Sequence, residues 1–96
     1  MSVYLTAIIE AKPGHESQVR TLLETLTAKS RNEEACIQYD LHESVEKPGY
    51  FIFHEEWTDQ AGLDIHNSQP HIDEFKAAAS GILAAEVIIH KTEKLV

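Results

Sequence analysis

Cysteine is nearly absent. Cys36 is the only one in 96 residues, so no intrachain disulfide can form and packing alone must hold the fold. Basic residues are also scarce: 8 Lys and Arg stand against 16 Asp and Glu, a formal net charge of -8. The cations are scattered singly. That excludes the basic face with which a nucleic-acid binder replaces phosphate counterions, and it disfavours an anionic membrane surface. No stretch approaches the roughly 18–20 apolar residues needed to span a bilayer. Met1-Ser2-Val3-Tyr4 has neither the basic region nor the apolar run of a signal peptide, so the expected location is cytoplasmic. There are no repeats, low-complexity tracts or linkers. What remains is a chain with 43% hydrophobic and 25% charged residues, ordinary for one globular domain spanning 1–96.

Residues 3–11 are rich in β-branched and aromatic side chains and read as a strand that Lys12-Pro13-Gly14 ends. In 15–32 the spacing of Val19, Leu22, Leu23 and Leu26 predicts a helix. A second strand over 36–43 alternates Ile37, Tyr39 and Leu41 with Gln38, Asp40 and His42. Lys47-Pro48-Gly49 is turn chemistry, so the strand over 50–57 should return beside it as a hairpin. A helix should start near Thr58 or Asp59, and Pro70 must interrupt it. Ser68 is a candidate cap for the segment beyond, whose apolar face is Ile72, Phe75, Ala79 and Ile82, with Ser80-Gly81 as its stop. The last strand is expected over 86–95.

The order β-α-β-β-α-β is the split βαβ arrangement: an α+β, ferredoxin-like four-stranded antiparallel sheet with two helices on one face. A sheet with one wet face should alternate apolar and polar residues. Three of these strands are apolar at most positions instead, so both sheet faces call for cover. A homodimer packed sheet against sheet, a dimeric α/β barrel with an obligate-size interface, is the expectation.

Three local patterns carry a family resemblance. They are Glu33-Glu34-Ala35-Cys36-Ile37-Gln38-Tyr39, then Glu56-Trp57 at a strand end, then His66-Asn67-Ser68-Gln69-Pro70-His71. In this order and spacing the chain resembles the antibiotic biosynthesis monooxygenase domain, in its branch of small quinol monooxygenases, over nearly its whole length. The resemblance implies dimers of ferredoxin-like subunits. Some relatives oxygenate phenols or quinols without metal, flavin or haem, others degrade haem, and one branch isomerises a phosphorylated sugar. Ala7 and Lys76 stand where the haem-degrading branch has an Asn and an iron-ligating His, which disfavours that reaction here. Ala35 replaces a Gly common in relatives.

His66 and His71 are the candidate catalytic residues, each suited to act as general base toward a phenolic hydroxyl. The plainer alternatives are a helix residue bonded to a carbonyl and a first-turn residue that helps to cap. Trp57 offers a stacking surface or a core anchor. Tyr39, Ile65 and Phe75 complete the candidate substrate-binding walls, with the pocket expected between helices and sheet. The plainer alternative for Tyr39 is a core residue with its hydroxyl at the rim. Glu56 is a candidate partner for a pocket histidine, although His54-Glu55-Glu56 also reads as a solvated strand end. The His66/His71 spacing, i, i+5 across a proline, departs from the i, i+4 of a helical metal pair, so no metal is expected. Cys36 reads as a buried thiol, and His15, His42 and His90 as surface residues.

The resulting expectation is a cofactor-independent monooxygenase that oxidises a small hydroquinone or polyphenol with dioxygen. An isomerase using the same histidines is the first rival, for which Lys76 is the one nearby cation to meet a phosphate. A non-catalytic ligand-binding or stress-related dimer is the second.

Overall fold

The centre of the sheet is the most apolar strand of the sequence, β1 (Val3–Glu10). In the computed structural model, which describes all 96 residues, β1 pairs antiparallel with both β3 (Tyr50–Trp57) and β4 (Ile88–Thr92). β2 (Cys36–Glu43) pairs antiparallel with β3, giving the order β2-β3-β1-β4. The expected hairpin is there, and Gly49 in its turn has φ +84°, a left-handed conformation that costs other residues energy.

Three helices accompany the sheet: α1 (Glu16–Arg31), α2 (Gln60–Asn67) and α3 (Pro70–Ala79). The predicted second helix is thus two. Asp59 caps α2, its Oδ1 accepting from the Gly62 N–H at 2.7 Å. Ser68 does not cap α3. It ends α2, where its hydroxyl donates to the Ile65 carbonyl, and Gln69 precedes Pro70 at the first position of α3. β4 is shorter than the expected 86–95, and Ala11 leaves β1 to form a lone bridge with Leu83.

Alternation along the strands decides what reaches the core. Leu5, Ala7 and Ile9 of β1 and Phe51, Phe53 and Trp57 of β3 are buried beneath Val19, Leu23 and Leu26 of α1 and Leu63 of α2. Full burial of Trp57, Phe51 and Phe53 stabilises the fold by about 1.5–3 kcal/mol each. β2 breaks its alternation. A bulge between Cys36 and Gln38 turns Ile37 outward, 53% exposed, so only Tyr39 of the predicted apolar trio is fully buried.

The opposite sheet face is uncovered in the monomer. Tyr4, Thr6 and Ile8 of β1 share it with Ile52, His54 and Glu56 of β3 and with Ile88 and His90 of β4, as the cross-strand register requires. No helix is long and apolar enough to cross a membrane.

Candidate functional site

Glu55 follows the period of β3. Phe51, Phe53, Glu55 and Trp57 point to one face, so a carboxyl enters the core among aromatic rings and is only 7% exposed. Trp57 donates from Nε1 to Glu55 Oε1 at 3.0 Å. Burial opposes ionisation, and the nearby Glu33 adds to it. Together they raise the Glu55 pKa from 4.5 to about 7, against the opposing pull of the Trp57 hydrogen bond. Tyr39 lies opposite Glu55 on β2. Burial, with the Glu55 charge second, holds the Tyr39 phenol well above its ordinary pKa, so it remains a hydroxyl donor.

His66 comes from the last turn of α2 and packs on Trp57, with ring centroids 4.3 Å apart, and on Tyr39 at 5.6 Å. Its Nδ1 lies 2.6 Å from Glu33 Oε2. The same oxygen lies 2.8 Å from His71 Nε2. A carboxylate oxygen can only accept, so both rings direct an N–H at it. His66 therefore carries its proton on Nδ1, and Nε2, which no protein group contacts by hydrogen bond, is the lone-pair nitrogen. Burial lowers the His66 pKa below 6.5, with Glu33 pulling the other way. The ring is neutral at neutral pH. Glu33 Oε1 is buried without a partner.

A cavity of about 430 Å³ lies between helices and sheet. Its buried lining is apolar except at one end, where Tyr39, Glu55 and His66 meet. Phe75 and Ile72 of α3 form a side wall, and the exposed Asn67, Lys76, Val87 and Ile89 surround the mouth. The volume suits one small aromatic ring with substituents.

The structure therefore brings together His66, Tyr39 and Phe75 of the predicted residues. Trp57 stands behind His66 and Glu55 and does not line the cavity. Ile65 is 57% exposed and faces away, since the helical turn that aims His66 inward aims its neighbour outward. His71 lies on the far side of Glu33, where it borders a shallow groove between α1 and α3. Glu56 pairs with no histidine; it is on the open sheet face, and Glu33 holds that role. Sequence reasoning passed over Glu55 and Glu33. The period-two spacing from Phe51 and Phe53 was a usable signal for Glu55. Glu33, in a loop 33 residues from His66, had none beyond its place in the Glu33-Glu34 pair.

Cys36 is no nucleophile: burial and the charges of Glu33 and Glu55 raise its pKa and keep it a thiol. Glu33, His66 and His71 are the residues able to hold a metal, their ligand atoms lying within 4.8 Å of one another. As arranged they fit hydrogen bonds better. Two ligands of a tetrahedral zinc stand roughly 3.3 Å apart, given bonds of about 2.0–2.1 Å. The N–O separations here are 2.6 and 2.8 Å.

The fold recurs in known proteins. The chain is 33% identical over 91 residues to YcnE of Bacillus subtilis, a protein with monooxygenase in its name, covering 95% of this chain and 96% of that one. The crystal structure of PA3566 from Pseudomonas aeruginosa superposes with a TM-score of 0.93 at 34% identity, over 99% of this chain and 95% of the other. Rv0793 from Mycobacterium tuberculosis gives a TM-score of 0.92 at 27% identity, over 100% and 97%. Residues 2–78 match the family described as antibiotic biosynthesis monooxygenase, and the chain belongs to that family.

Proposed function

We propose that the protein oxygenates a small hydroquinone or polyphenol with dioxygen, the substrate supplying the electrons. The observation that carries this reading is the acid–base pair buried in the lining of a largely apolar cavity: His66, neutral with Nε2 open, and Glu55, its pKa raised to about 7. Environments that push two titratable groups in these directions assign them as base and acid.

His66 Nε2 takes a ring hydroxyl proton. The phenolate passes one electron to dioxygen, and the two radicals combine to form a C–O bond at the neighbouring ring carbon. The imidazolium returns its proton to the peroxide oxygen. That carbon then loses its hydrogen as a proton to His66 while the O–O bond breaks, leaving a carbonyl. Glu55 protonates the departing hydroxide, which leaves as water, and regains its proton from His66. One oxygen atom ends on the ring and one in water. Tyr39 donates a hydrogen bond to the ring oxygen as charge develops on it. The apolar walls keep out bulk water.

The same reading includes a second copy of the chain. Tyr4, Ile8, Ile52 and Ile88 on the uncovered sheet face support a homodimer packed through that face.

Oxygen uptake with a panel of quinols and no added cofactor tests the proposal. Uptake above autoxidation that His66→Ala lowers by about a hundredfold is the expected result. If no quinol gives enzyme-dependent uptake, the reading is wrong. Proton exchange into a carbonyl substrate without oxygen uptake would assign the same pair to an isomerase instead.

A further inference from the structure

The polar groups of the cavity are not spread evenly. Tyr39, Glu55 and His66 are buried in its lining, whereas Lys76, with Asn67, Val87 and Ile89, belongs to the exposed part of the lining that forms its opening. Lys76 forms no ion pair, as is true also of Lys12, Lys91 and Lys94, whereas Arg20, Lys29, Arg31 and Lys47 are paired; what sets Lys76 apart is its place on the cavity lining. It is also the only cation on the lining. Glu55 is the one carboxyl on the lining, so a carboxylate ligand is favoured at the exposed Lys76 rather than beside it. An uncharged quinol would leave that ammonium over an apolar opening with no partner. A ligand with one negative charge at the end opposite its reacting hydroxyl would neutralise it.

We propose that Lys76 is a specificity-determining residue that selects an aromatic substrate bearing a carboxylate, seated with a ring hydroxyl at Glu55 and His66 and the carboxylate at the mouth. The proposal rests on the aromatic-substrate reading above and narrows it to hydroxylated aromatic acids. Complementarity of this kind acts through selectivity more than through raw affinity, because an ammonium at the mouth stays partly hydrated.

The test is equilibrium binding without oxygen, so that no turnover intervenes. The probes are 2,5-dihydroxybenzoate and its methyl ester, which share a ring and differ in charge. Wild-type protein should bind the acid about fivefold more tightly than the ester, the scale of a partly exposed ion pair. Lys76→Gln should abolish that preference, Lys76→Arg should keep it, and Lys76→Glu should reverse it. All three changes fall at an exposed position, and melting curves check that each variant is folded. Equal affinity of the wild type for acid and ester overturns the proposal, as does a preference that survives Lys76→Gln. If acid and ester bind equally while a neutral quinol is still oxygenated, only the role of Lys76 fails. If neither probe binds and no quinol is turned over, the aromatic-substrate reading fails with it.

Discussion

Glu33 Oε2 lies 2.6 Å from His66 Nδ1, and that hydrogen bond decides which nitrogen of the ring is left to meet the cavity. The carboxylate comes from the loop after α1 and the imidazole from the end of α2. Glu33 therefore acts on the reaction through another residue, by fixing a tautomer.

Glu33→Gln tests that role. The amide can present its own N–H to Nδ1 and so favour the opposite tautomer, with the proton on Nε2. Oxygenation should fall by about tenfold to a hundredfold, the scale seen when a partner orienting a functional imidazole is removed. The ¹⁵N shifts of His66 should report the exchanged tautomer. Unchanged shifts together with unchanged activity would remove Glu33 from the site.

Activity should have two pH limbs. Protonation of His66 sets the acid limb, which burial shifts to lower pH than for an ordinary histidine. Ionisation of Glu55 sets the alkaline limb near pH 7, above which the acid is lost. Glu55→Gln should be slower throughout and lack the alkaline limb. A profile for Glu55→Gln that still turns down near pH 7 would assign that limb to another group.

Stability should vary with pH through the same residues. The native Glu55 binds its proton more tightly than the unfolded chain does, so its favourable contribution is complete below about pH 4.5 and is lost as pH rises through about 7. Full ionisation in place costs about 3 kcal/mol. His66 acts oppositely: its lowered pKa means the unfolded chain takes up the proton first, and stability falls as pH drops below about 6.5. Urea unfolding at pH 5 and pH 8 should show wild-type stability falling with rising pH relative to Glu55→Gln, which lacks that loss.

Gly62 and Ala35 should behave as a coupled pair. A Cβ added at Gly62 would stand 2.4 Å from the Ala35 Cβ, where the first turn of α2 crosses the loop before β2. Gly62→Ala should cost about 1–3 kcal/mol by overpacking, and Ala35→Gly in the same chain should recover part of it. Additive effects in the double-mutant cycle would show that the contact is not where the strain arises.

Ile52→Glu places a charge in the middle of the uncovered sheet face. Sedimentation should find the wild type dimeric and this variant monomeric. A monomeric wild type at micromolar concentration would end the dimer proposal.

The sequence alone determined the elements and their order. Period-two runs in β1 and β3, the 3.6 spacing in α1, and Pro13-Gly14, Pro48-Gly49 and Pro70 as breaks are local properties, and local sterics enforce them. It also carried the family. The site itself was only partly legible. His54-Glu55-Glu56 resembles a solvated strand end, and Glu55 is a core carboxyl because the strand period carries it inward, where Trp57 donates its N–H to it. Ile65 and His66 are neighbours in sequence, yet a helix can aim only one of them inward. Where periodicity stops, at the loop that carries Glu33, nothing local says which distant ring the carboxylate will reach. Tertiary structure made that choice, because a buried carboxylate must find donors and the packing of α1, α2 and α3 left His66 and His71 as the two within reach.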